Sequence, residues 1–142
     1  MTQVLIVDDD RAIRELLLLA LELEGYTATA LSDGSRVVET REAACEPRIV
    51  LLDVMMPGVD GLEVCRQLAA RPDLAARHRV IVMTACPPED NEPPEPAAAL
   101  IAKPFQLARL LELIVALDSG PGVASVAPVA VPDPYEHMPL AG

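Results

Sequence analysis

Six residues carry side chains whose chemistry could cooperate: Asp8, Asp9, Asp10, Asp53, Thr84 and Lys103, the last being the only lysine in the chain. Two or three carboxylates gathered at one point repel one another and raise their pKa values unless a cation joins them. A small set of oxygen-only ligands suits Mg²⁺, which keeps several of its waters. The acid cluster therefore implies a divalent ion. A further carboxylate beside it, Asp53, is a candidate nucleophile toward phosphorus, with the ion bridging carboxylate and phosphoryl oxygens. Thr84 and Lys103 would bring a hydroxyl and an ammonium to the remaining phosphoryl oxygens, stabilising charge in the transition state and product.

These residues are scattered through the sequence, so the fold must gather them. Short continuous apolar runs that suit doubly buried strands alternate with longer stretches in which charges recur at helical spacing. Strands are expected at Gln3–Val7, Tyr26–Leu31, Arg48–Leu52, Arg79–Met83 and Ala98–Ala102. Helices are expected at Arg11–Glu24, with Ile13, Leu16, Leu17, Ala20 and Leu23 on the inner face and Gly25 closing it, then at about Gly34–Ala44, Asp60–Ala70 and Phe105–Leu117. The fourth crossover breaks the rhythm. Between Thr84 and the fifth strand, Pro93, Pro94 and Pro96 would each cost about 3 kcal/mol inside a helix. The fourth helix is therefore expected to be absent or reduced to one turn. Such βα units build a parallel sheet with right-handed crossovers, and ligands bind outside the carboxyl ends of its strands. Asp8–Asp10, Asp53, Thr84 and Lys103 all fall at strand ends, so one rim should hold them.

A chain of 142 residues is one domain with some chain to spare, which leaves no room for a second folded output domain and points to a stand-alone unit. The expected boundaries are a domain over 1–118 and a Pro/Ala/Val-rich tail over 119–142 without regular structure. Eleven basic residues against 22 acidic ones give a net charge of -11, which repels a nucleic-acid backbone, and the chain has no Trp and a single Phe for base stacking. Direct nucleic-acid binding is disfavoured. Cys45, Cys65 and Cys86 are odd in number and lack metal-ligand spacing, so they read as reduced, buried thiols. The longest strongly apolar stretch is far short of the ~20 residues of a membrane span, and no signal-peptide pattern opens the chain. A cytoplasmic protein is expected.

The stretches VLIVDDD (Val4–Asp10), IVLLDVMMPGVDGLEV (Ile49–Val64), VIVMTA (Val80–Ala85) and AKPF (Ala102–Phe105), in that order, resemble the receiver domain of two-component response regulators, of the single-domain, chemotaxis-regulator-like kind. The resemblance covers roughly residues 2–118. It implies a flavodoxin-like (βα)5 fold, doubly wound, with strand order 2-1-3-4-5. It implies that Asp53 accepts a phosphoryl group from a sensor histidine kinase or histidine phosphotransfer protein. Asp9 would ligate Mg²⁺ directly, Asp8 through water, and the backbone carbonyl of Met55 would join Asp53 in the set. Thr84 and Lys103 match the switch hydroxyl and the phosphate-binding lysine, and Lys103–Pro104 is expected to be cis. Leu100 stands where the family usually carries an aromatic switch residue, so the usual aromatic readout is missing.

Several of these residues have plainer readings. Asp10 is assigned to capping the first helix. Met55 and Met56 read as loop-packing residues, not sulfur ligands, because a hard ion prefers oxygen. Cys86 reads as a space-filler, His78 and His137 have no catalytic company, and the Leu16–Leu19 run reads as core and sheet contact. The leading function is a phosphorylation switch or phosphorelay intermediate whose only reactions are self-phosphorylation from a donor and slow self-dephosphorylation. One alternative is a scaffold of the same fold that docks constitutively through its Pro-rich segment, 87–96, or its tail. Another is a Mg²⁺-dependent phosphohydrolase similar to the haloacid dehalogenase superfamily, disfavoured because Val54 and Met55, not an acid, follow Asp53.

Overall fold

The computed structural model describes residues 3–37, 48–56, 60–90, 92–118 and 130–131. Its elements are β1 (Gln3–Val7), α1 (Arg11–Leu23), β2 (Thr27–Leu31), a 3-10 turn (Gly34–Arg36), β3 (Arg48–Asp53), α2 (Gly61–Ala69), α3 (Pro72–Arg77), β4 (His78–Thr84), β5 (Ala99–Ala102), α4 (Leu107–Asp118) and β6 (Ala130–Val131). All the strand pairings are parallel, in the order β2-β1-β3-β4-β5-β6. The expected 2-1-3-4-5 order is present, extended by one short strand.

Alternation along each strand divides the core into two layers, because successive side chains leave opposite faces of a sheet. Ile6, Leu51, Ile81, Met83 and Ile101 meet Leu17 and Leu21 of α1 and Leu110, Ile114 and Leu117 of α4 on one face. Leu5, Val50, Leu52, Val82 and Leu100 meet Val64, Cys65 and Leu68 of α2 and Leu74 of α3 on the other. Both faces being covered explains the unbroken apolar runs of β1, β3 and β4.

Asp10 caps α1, its carboxylate accepting from the N–H groups of Ala12 at 2.9 Å and Ile13 at 3.5 Å; such a cap contributes about 1 kcal/mol. Gly25 follows the helix at φ +90°, a backbone conformation that side chains disfavour. The inner face of α1 differs from the expected one: Leu17, Ala20 and Leu21 are buried, whereas Leu16, Leu19 and Leu23 are exposed. Four consecutive leucines satisfy several helical phases equally well, so periodicity could not choose among them.

Other departures have similarly local causes. Of the second helix, expected over 34–44, the described residues hold the 3-10 turn capped by Asp33 and then Val37 in α-helical backbone, and the rest of that expectation lies outside them. A helix not anticipated, α3, starts on Pro72 as an N-terminal proline and packs Leu74 into the core. β4 begins one residue early, at His78, which is buried. α4 begins at Leu107, beyond Phe105. Cys65 is buried, and burial pushes its thiol up to about 11. Cys86, in contrast, is exposed, because the chain after Thr84 leaves the sheet without re-entering a helix, and Cys45 lies outside the described residues. Between Thr84 and β5 the described residues form turns and irregular chain with no helix, as the prolines dictate. Ala97 closes this segment against the core layer beneath. In the tail, Ala130–Val131 form a strand where none was expected, and residues 119–129 and 132–142, with His137, lie outside the described residues. No helix among the described residues is long and apolar enough to cross a membrane.

Candidate functional site

The parallel register brings the strand ends to a common level. Asp8 follows Val7 at the end of β1, and its N–H donates to the Leu31 carbonyl at 3.2 Å. Asp53 is the last residue of β3, paired with Met83; Thr84 is the last of β4, paired with Ala102. Lys103 comes next, its N–H donating to the Thr84 carbonyl at 2.7 Å, and the Lys103–Pro104 bond is cis as expected. Three ladders therefore hand four residues to one rim.

Asp8, Asp53 and Thr84 are 0%, 3% and 4% exposed, while Asp9 faces solvent. One carboxylate oxygen from each of Asp8, Asp9 and Asp53 lies within 4.8 Å of the other two. The Lys103 ammonium reaches in from the side, 3.0 Å from Asp8 Oδ2 and 3.4 Å from Asp53 Oδ1. Burying a carboxylate disfavours its charged form, and this desolvation is the largest influence on Asp53. The Asp8 carboxylate adds to it. The Lys103 ammonium and the Met55 N–H, which donates to Asp53 Oδ1 at 3.2 Å, pull the other way without cancelling it. Asp53 is thus held above the ordinary carboxylate value. A donor set of closely spaced carboxylate oxygens, one of them open to water, fits a hard divalent cation of the Mg²⁺ type.

Thr84 Oγ1 accepts the Cys86 N–H at 3.0 Å, a bond that uses the oxygen as acceptor and not the hydroxyl proton. Leu100, at the position expected to depart from an aromatic, is buried opposite Val82. Met55 exposes its side chain, whereas Met56 is buried in the core, so only Met56 fits the packing reading. Asp10 turns away to its cap and also donates its N–H to Asp8 Oδ1 at 2.9 Å.

Two residues that support this rim went unnoticed in the sequence. Arg14, in the second turn of α1, donates from Nη1 to the Asp8 carbonyl at 2.7 Å. Gly61 opens α2 against the end of β3; a Cβ there would stand 2.5 Å from the Asp53 carbonyl oxygen and 2.8 Å from the Val54 Cα. The only available signal for Gly61 was its position directly after the capping Asp60, whose carboxylate accepts the Glu63 N–H at 2.9 Å. For Arg14 the signal was a second arginine, three residues after Arg11, following three acids.

The chain matches the response regulator receiver domain over residues 4–115. It is 41% identical over 122 residues to response regulator MprA of Mycobacterium ulcerans, covering 81% of this chain and 49% of that protein, so the chain spans about half the length of such relatives. Chemotaxis protein CheY4 of Vibrio cholerae has the same fold, with a TM-score of 0.72 at 23% identity over 82% of this chain and 98% of that one. Response regulator TrrA of Thermotoga maritima is 29% identical, with a TM-score of 0.67 over 82% of this chain and 99% of that one, in a structure containing Mg²⁺ and BeF. In a second structure TrrA is bound to the histidine kinase ThkA, with a TM-score of 0.70 over 82% and 98% of the two chains. With the acids, threonine and lysine at one rim of this sheet, and with this breadth of match, the chain belongs to the response regulator receiver domains of two-component signalling.

Proposed function

We propose that Asp53 accepts a phosphoryl group from a phosphohistidine donor, either a sensor histidine kinase or a histidine phosphotransfer protein, and that the chain works as a phosphorylation switch or phosphorelay intermediate in the cytoplasm. An Asp53 carboxylate oxygen bonds to phosphorus as the phosphorus–nitrogen bond breaks and the imidazole departs. Asp9 and Asp53, with the Met55 carbonyl, would hold Mg²⁺ directly and Asp8 through water; the ion when bound neutralises charge on the carboxylate and phosphoryl oxygens. Thr84 donates its hydroxyl, and Lys103 its ammonium, to the phosphoryl oxygens. The observation that carries this reading is the position of the solitary lysine, whose Nζ lies within 3.4 Å of both Asp8 and Asp53. A cation committed to two carboxylates is poised to move onto a stronger anion, since a phosphoryl group brings about -1.5 to -2 charge. Slow return to the free carboxylate by water is the only other reaction assigned to the site. The TrrA–ThkA complex supports a kinase as donor.

Incubation with a small-molecule phosphodonor and Mg²⁺, followed by intact mass, tests the acceptor. Wild type should gain one phosphoryl group and Asp53→Asn none. Labelling that survives Asp53→Asn would reassign the acceptor, and an unlabelled wild type would end the reading. Lys103→Ala should still accept the group while losing the phosphorylation-dependent change in amide exchange along β4 and β5; loss of metal binding instead would show the roles to be misassigned. The expectation of a receiver acting without an attached effector belongs to this reading too. The mass of the protein isolated from its source tests it, against that of a 142-residue chain.

A further inference from the structure

The two edges of the sheet are built differently. On the β2 side, Thr27 and Thr29 are exposed, as on a strand that meets solvent. On the other side, β5 reads Ala-Leu-Ile-Ala, without charge or proline, and Ala99, Leu100 and Ile101 are each at most 3% exposed. That is the burial of a central strand. An uncharged apolar edge templates pairing with any extended chain that reaches it, and folded proteins shorten, charge or cover such edges. Here the cover is Ala130–Val131, parallel to β5, with Leu100 opposite Ala130 and Ile101 opposite Val131. The direction follows from α4, which returns the chain along the sheet so that the next strand enters parallel. Two residues make a weak ladder, so tethering through the same chain must supply much of the holding.

We propose that the outer edge of β5 is a strand-accepting surface held closed in cis by Ala130–Val131, and that displacing this strap lets a second copy of the chain pair along β5. The second copy is the fitting competitor because an uncharged strand meets its own image antiparallel without like-charge repulsion, and such a contact closes on itself as a two-fold dimer.

The test uses the full chain with Ala130→Pro and Val131→Pro together, which remove whichever of the two N–H groups faces β5, since successive residues of a strand point theirs to opposite sides, and Val131→Ile as the strand-compatible control. Amide exchange at Leu100–Ala102 is read at a concentration where the chain is monomeric, and sedimentation velocity is read over a concentration series. Wild type and Val131→Ile should be monomers with protected β5 amides. The double variant should exchange at Leu100–Ala102 about tenfold faster or more, with β1 and β3 still protected, and should form dimers as concentration rises. Unchanged exchange in the double variant would show that the strap does not hold the edge. Faster exchange with monomers throughout would show that the edge does not self-pair, and dimers already present in wild type would overturn closure in cis. Should β1 and β3 lose protection as well, Val131→Pro alone replaces the double variant and is read against the same outcomes.

Discussion

The chain leaves β3 and β4 in opposite styles, although both strands end on a residue of the same rim. After Asp53 it returns through α2, whose first residue, Gly61, is buried against the Asp53 carbonyl and donates its N–H to the Val54 carbonyl at 3.1 Å. After Thr84 it returns through a proline-rich segment that forms no helix among its described residues. Yet Thr84 is as deeply buried as Asp53, and Lys103, at the far end of the irregular crossover, still reaches both carboxylates. The difference teaches that ladder register, not the connecting helices, sets the rim. A crossover can lose its helix without displacing the rim, provided that the strands on either side stay paired.

The largest effect should come from forcing the tight crossover apart. Gly61→Val places a branched side chain where even a Cβ meets backbone at 2.5 Å, and overpacking of that kind should cost about 3 kcal/mol in urea unfolding. A loss below about 1 kcal/mol would mean that α2 can slide away from β3, and the contrast between the crossovers would weaken. A smaller effect of opposite sign is expected at the strand end itself. Because the folded protein holds Asp53 above the ordinary value of 3.8, ionising it costs the fold. That cost is present in full above the raised value and vanishes below 3.8, where the group is neutral in both states. Asp53→Asn should therefore stabilise the protein in chelator at neutral pH, read as a raised urea midpoint. The gain should fade as the pH drops toward 3.8, and a gain that persisted there would assign it to packing. The smallest effect belongs to the loose crossover: Pro88→Ala, at an exposed position, should change stability by less than about 0.5 kcal/mol and leave phosphoryl labelling intact.

Much of the site was legible because acids, a threonine and a lysine at strand ends obey a rule of parallel sheets. The strands were legible too, since runs such as Ile49–Leu52 admit few other readings. The missing crossover helix was legible from proline alone. What escaped was settled by tertiary contact. The buried face of α1 depends on which of four adjacent leucines the sheet selects, and α3 is stabilised by seating Leu74, a single apolar anchor too brief to show a period. Cys86 resembles Cys65 in type, and only the route of the chain makes one exposed and the other buried. The strand at Ala130–Val131 is two residues long, too short for any pattern to announce it.

The bond from Lys103 Nζ to Asp8 Oδ2 joins residues 95 positions apart. Contacts of such span form late, after loop-closure entropy has been overcome by the strands between them. A chain still emerging during synthesis, or one with β5 undocked, holds its aspartates without their cation. Completion of the fold and completion of the rim's charge balance are thus a single event for this domain, because the ammonium reaches both carboxylates only once β5 is in place.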